Sequence, residues 1–171
     1  LDYYRRAVEL EPDRLDIAFE FGRMLIYEGY NGTQLPARAD EAFELAKRLV
    51  EQAPDDARAH TLMALALTEQ RRYNEAVAAG LRAVDLAPDF AEAWAYLSMA
   101  YYWSGRPSNA EETAERAVEL NPDSIDARRA MARRGSSTCT ARRCRSRIFL
   151  PGKCRACVAW PSATRPGTRV S

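Results

Sequence analysis

Histidine is almost missing from this chain of 171 residues, with one copy, and cysteine is absent before position 139. Glycine is sparse at 8 residues, and lysine occurs twice against 23 arginines. No window approaches the roughly 18 consecutive apolar residues of a membrane-spanning helix, so such a span is not expected. No nucleophile elbow, phosphate-binding loop or metalloprotease motif is present. Without cysteine the first 134 residues carry no information about redox compartment. The catalytic inventory is poor, and the sequence is read as that of a protein that is not an enzyme and takes no cofactor.

Charge is unevenly placed. The formal net charge is +1, but residues 1–134 hold 17 basic and all 24 acidic side chains, a net −7. Residues 135–171 hold 8 basic side chains and no acid. That segment also contains every cysteine and lacks Asn, Gln, His, Tyr and Met. Two chemically different segments meet near Arg134 and are read separately.

The first segment repeats. Pro-Asp occurs at Pro12-Asp13, Pro54-Asp55, Pro88-Asp89 and Pro122-Asp123, at spacings of 42, 34 and 34 residues. Each follows an amphipathic run such as Ala83 to Leu86 or Ala117 to Leu120. Proline lacks the N–H that a continuing helix needs and disfavours helix in the residue before it. Aspartate can cap a following helix. Each Pro-Asp is therefore read as a helix-to-helix corner, with the Asp as the cap. Between corners lie two helical stretches. Ala59, Leu62, Met63, Ala66 and Leu67 have the three-and-four spacing of one, and Ala76, Val77, Leu81 and Val84 of the next. Sustained strand alternation is absent, so the class is all-α.

A 34-residue helix–turn–helix unit of this kind resembles the tetratricopeptide repeat. The signature reads Trp94, Leu97, Tyr101, Gly105, Ala110, Ala117 and Pro122 in one unit. In the unit before it, His60, Met63, Ala64, Leu67, Ala76, Gly80, Ala83 and Pro88 stand in register. A looser unit keeps Phe21, Gly22, Leu25, Gly29, Ala42 and Pro54. The resemblance implies a right-handed α-solenoid of antiparallel helix pairs over residues 1–134. It divides into a half repeat 1–14, repeats 15–56, 57–90 and 91–124, and a half repeat 125–134. Small residues at Ala76, Ala83, Ala110 and Ala117 belong where helices approach most closely. His60 falls on a large-residue packing position. The unit 15–56 is eight residues too long, and Asn31-Gly32 with Pro36 places the surplus in a loop at 30–40 that could display Tyr30 and Leu35.

The resemblance also implies a concave face, lined mainly by first helices, that grips a peptide or partner helix. By position its candidates are Phe19, Arg23, Tyr27, Arg58, Thr61, Leu65, Glu92, Met99, Tyr102 and Arg129, with Arg133 extending the wall. Members that clamp a C-terminal carboxylate use basic and amide side chains where this chain has Phe19, Arg23, Leu62, Glu92 and Tyr96. Only Arg23 is basic, so that clamp is not expected. The implied function is a non-catalytic protein-binding scaffold or adaptor. A regulatory or spacer segment of a larger enzyme or assembly, or self-association through the repeat ends, is the alternative, since the chain starts at Leu1 inside a repeat. The partner is a protein or peptide, with no nucleic acid expected for 1–134. Cytoplasm is the default compartment.

Residues 135–171 form a basic Cys/Arg/Ser-rich tail. Cys139, Cys144, Cys154 and Cys157 offer four thiolates to a metal, but only Cys154 and Cys157 have common ligand spacing, so no metal site is assigned. The repeat register stops mid-helix at Arg134 and acids vanish. The excess of Arg over Lys suggests a GC-rich gene, whose out-of-frame translation yields Arg, Pro, Ala, Ser and Cys. The tail is read as disordered or out of frame.

Overall fold

The computed structural model describes residues 1–30 and 35–137. The expected loop display of Tyr30 and Leu35, the four cysteines and nearly all of the basic tail lie outside what it describes. Among the described residues there are eight helices and no strand. They are α1 (Asp2–Leu10), α2 (Leu15–Tyr30), α3 (Leu35–Gln52), α4 (Ala57–Glu69), α5 (Tyr73–Leu86), α6 (Ala91–Trp103), α7 (Pro107–Leu120) and α8 (Ile125–Ser137). Each packs on the next in sequence, giving antiparallel pairs stacked as an α-solenoid.

The corners are built alike. The backbone N–H of Arg14, Asp56, Phe90 and Ser124 donates to the carbonyl of Glu11, Ala53, Ala87 and Asn121, at 3.1–3.2 Å. Pro-Asp fills the two central positions of each turn, where proline's fixed φ suits the first. This corrects the reading of the aspartate as a cap. The cap position is one residue later, where Asp56 accepts the Arg58 N–H at 2.8 Å and Ser124 accepts the Ala127 N–H at 3.4 Å. A second device recurs at the same period. The ring N–H of His60 donates to the Pro54 carbonyl at 2.7 Å, and the indole N–H of Trp94 to the Pro88 carbonyl at 2.9 Å. Arg128 reaches the Asp123 carbonyl from the corresponding place.

The surplus in the first complete pair is spent mostly on helix. α2 and α3 have 16 and 18 residues, against 13 and 14 in each of the next two pairs. The expected loop over 30–40 gives way to helix from Leu35, with Pro36 as the second residue of α3. Proline is tolerated in a first turn, where the N–H it lacks has no helical partner. Pro107 opens α7 in the same way. α8 runs through Arg134 to Ser137.

The two layers differ. α2, α4, α6 and α8 each pack on the next of their own kind, whereas the backbones of α3, α5 and α7 approach only those of their sequence neighbours. The even-numbered helices therefore form the inner, tighter layer. α4 and α6 each bury nine residues. Small residues set the spacing. A Cβ on Gly80 would come within 3.0 Å of Leu97, and Ala95, Ala114, Ala117, Ala127 and Ala130 form an all-alanine seam. That seam brings α8 close against α6.

Candidate functional site

Three inner helices, α2, α6 and α8, converge on one polar cluster. Asp126, at the start of α8, is 2% exposed, and Tyr96 of α6 is 1% exposed. The alanine seam presses these helices together and places the Tyr96 hydroxyl 3.0 Å from Asp126 Oδ2. Arg23 of α2 donates to the same oxygen from Nη2 at 2.8 Å, to the Tyr96 hydroxyl from Nε at 3.0 Å, and to Glu20 at 2.7 Å. Tyr27, one turn along α2, donates its hydroxyl to Asp126 Oδ1 and lies 3.1 Å from the Tyr96 hydroxyl. Both carboxylate oxygens are thus taken, as a buried charge requires.

The backbones of α2 and α8 do not pack on one another. Only side chains join them across the inner face. Burial opposes the Arg23 cation, but Tyr96 and Asp126 outweigh it and hold its pKa above the ordinary value. Burial, reinforced by the hydrogen bond to Asp126, raises the Tyr27 pKa. Burial also raises that of Tyr96 well above the usual phenol range. Both tyrosines are therefore neutral donors at physiological pH.

Beside the cluster opens a pocket of about 320 Å³ lined by Tyr27, Leu65, Tyr96, Met99, Asp126, Arg129 and Arg133. The Arg129 guanidinium lies 4.8 Å from the Tyr27 ring centroid. Leu65 comes from α4 and Met99 from α6, so every inner helix contributes.

The residues singled out from sequence divide into groups. Tyr27, Leu65, Met99 and Arg129 line this pocket together. Arg23 belongs to the adjoining cluster. Phe19 is buried, with its ring 5.7 Å from Phe90 and 5.6 Å from the Arg23 guanidinium. Thr61 is buried and its hydroxyl donates to the carbonyl of Ala57 in its own helix at 2.6 Å. Arg58 pairs with Asp56 at 3.0 Å. Glu92 is half-buried, and Tyr102 is engaged edge-on with Trp103 at 5.1 Å, away from the pocket. Among the repeat positions, Ala42, Ala76, Ala83, Leu97, Tyr101, Ala110 and Ala117 are buried, Trp94 is half-buried, and Pro54, Pro88, Gly105 and Pro122 sit at exposed turns. Asp126 was missed. It reads as an ordinary acid in a first helical turn, yet Asp126, Arg129 and Arg133 share one helix face at three-and-four spacing, and that signal was available.

Family models of the tetratricopeptide repeat match residues 37–89 and 67–134. No curated protein matches the chain. The fold is similar to the crystal structure of TTC0263, a thermophilic TPR protein in Thermus thermophilus, with a TM-score of 0.64 and 19% identity over 78% of this chain and 70% of that one. It is also similar to the first TPR of Spaghetti (RPAP3) bound to HSP90 peptide SRMEEVD, with a TM-score of 0.53 and 19% identity over 68% and 92%. YrrB, a TPR protein with an unusual peptide-binding site, aligns with a TM-score of 0.53 and 20% identity over 77% and 63%.

Proposed function

Since the chain belongs to the tetratricopeptide repeat family, we propose that it is a non-catalytic protein-binding module that takes a peptide or partner helix on the inner face of α2, α4, α6 and α8. One observation carries this reading: all four inner helices contribute to a single pocket with apolar, aromatic and cationic walls. Convergence of a few polar groups on an apolar recess is how binding sites are commonly built. Two similar folds support it by their own descriptions, one bound to an HSP90 peptide and one with an unusual peptide-binding site. No described helix is long and apolar enough to cross a membrane.

The test is selection of peptides from a displayed library on the full chain, followed by photo-cross-linking of the selected sequences. Cross-links are expected on α2, α4, α6 and α8. Cross-links confined to the outer helices α3, α5 and α7 would sink the proposal.

A further inference from the structure

The inner-face pocket has a more specific chemistry than a general peptide groove. Buried Leu65 and Met99 supply its apolar lining, and Tyr27 adds an aromatic ring. Arg129 and Arg133 stand one helical turn apart on α8. Asp126 lines the pocket as well, but its carboxylate is withdrawn from solvent and its charge is offset by Arg23 at 2.8 Å. Arg129 is placed differently. It is exposed, its guanidinium lies over the Tyr27 ring, and among the described residues it makes no ion pair. A guanidinium held against an aromatic ring by a cation–π contact keeps its fork of N–H donors for a carboxylate. The charge left over in the lining is therefore positive, and it lies beside apolar Leu65 and Met99.

Size narrows the occupant. At about 320 Å³ the recess lies at the small end of ligand pockets, which run from about 300 to 1,000 Å³. That is room for one large side chain and its immediate neighbours, not for the whole face of a helix.

We infer that this pocket docks an acidic peptide segment in which one large apolar side chain is flanked by carboxylates, the apolar group seating on Leu65 and Met99 and a carboxylate pairing with Arg129. The inference rests on the proposed inner-face binding and narrows its partner class. Positive charge on the pocket complements the ligand, so binding weakens with added salt.

The test uses fluorescence anisotropy on the full chain with short peptides blocked at both ends. The probe has a leucine flanked by glutamates, and the controls replace the glutamates by glutamines or the leucine by alanine. The acidic leucine peptide is expected to bind about tenfold tighter than either control, the order expected of one charge-assisted hydrogen bond or of one large apolar side chain buried. Arg129→Gln is expected to erase the preference for glutamate while leaving the thermal midpoint in place. Equal binding of the glutamate and glutamine peptides overturns the inference, as does a glutamate preference that survives Arg129→Gln. A glutamine-flanked peptide with a free C-terminal carboxylate that binds better than the blocked acidic one also overturns it, by assigning the site to chain ends. If no probe binds while library-selected peptides still cross-link to the inner helices, this inference fails alone. Cross-links confined to the outer layer remove both readings.

Discussion

Two residues one repeat apart show how far a local rule reaches. Gly105 has φ of 77° just after α6, and Arg71 has φ of 63° just after α4, 34 positions earlier. The left-handed conformation costs a side-chain-bearing residue roughly 1–2 kcal/mol, while glycine adds about 0.5–1 kcal/mol of chain entropy. Arg71→Gly is therefore expected to raise stability by up to about 1 kcal/mol, read as a higher urea midpoint. A lower midpoint would mean that the arginine side chain contributes more than its backbone costs. The Pro-Asp corners were legible for the same reason, since proline acts on its own φ and its neighbour. The aspartate's role was not, because capping depends on which turn residue ends nearest the free N–H groups. Asp55 ends inside the turn and Asp56 at the cap.

At the level of the helix, periodicity located the pairs well and their ends poorly. Pro36 and Pro107 look like terminators in isolation, yet both lie in first turns. Proline is helix-compatible there and helix-breaking one turn later. The caps carry a pH dependence. Burial tends to raise the Asp56 pKa, but hydrogen bonds from the Arg58 side chain and backbone outweigh it and hold it below the ordinary value. A depressed carboxyl pKa stabilises the fold above the unfolded value of about 3.9, and that contribution is lost as pH falls through the folded value. Asparagine keeps the cap but not the charge. Asp56→Asn is thus expected to cost part of the roughly 1 kcal/mol of a helix cap at pH 7, read as a lower melting temperature. The gap should close as pH falls below about 4. A gap of constant size down to strongly acid pH would separate Asp56 from any charged role.

Over the whole molecule, the cluster on the inner face departs from what a stack of repeats is expected to do. In a nearest-neighbour array, changes in α2 and α8 should be independent. Here Arg23 and Asp126 are 103 positions apart and share an ion pair in which the carboxylate is buried. Breaking such a pair from one side costs about 3–5 kcal/mol, because it strands a buried charge. Arg23→Gln and Asp126→Asn are expected to show a coupling of about 1–3 kcal/mol in a double-mutant cycle of urea unfolding. Changes that add within about 0.5 kcal/mol would show that α2 and α8 are energetically separate. The sequence by itself determined the repeat, the helix pairs and the class of residue at each inner position, because these follow from short-range spacing and local backbone chemistry. Only the tertiary structure decided that Arg23, Tyr27, Tyr96 and Asp126 meet, and that Leu65, Met99 and Arg129 open onto one pocket. Those meetings depend on the rotation accumulated from one repeat to the next, which no single repeat encodes. Alanines at Ala95, Ala127 and Ala130 set how closely α8 approaches, and so which side chains reach across.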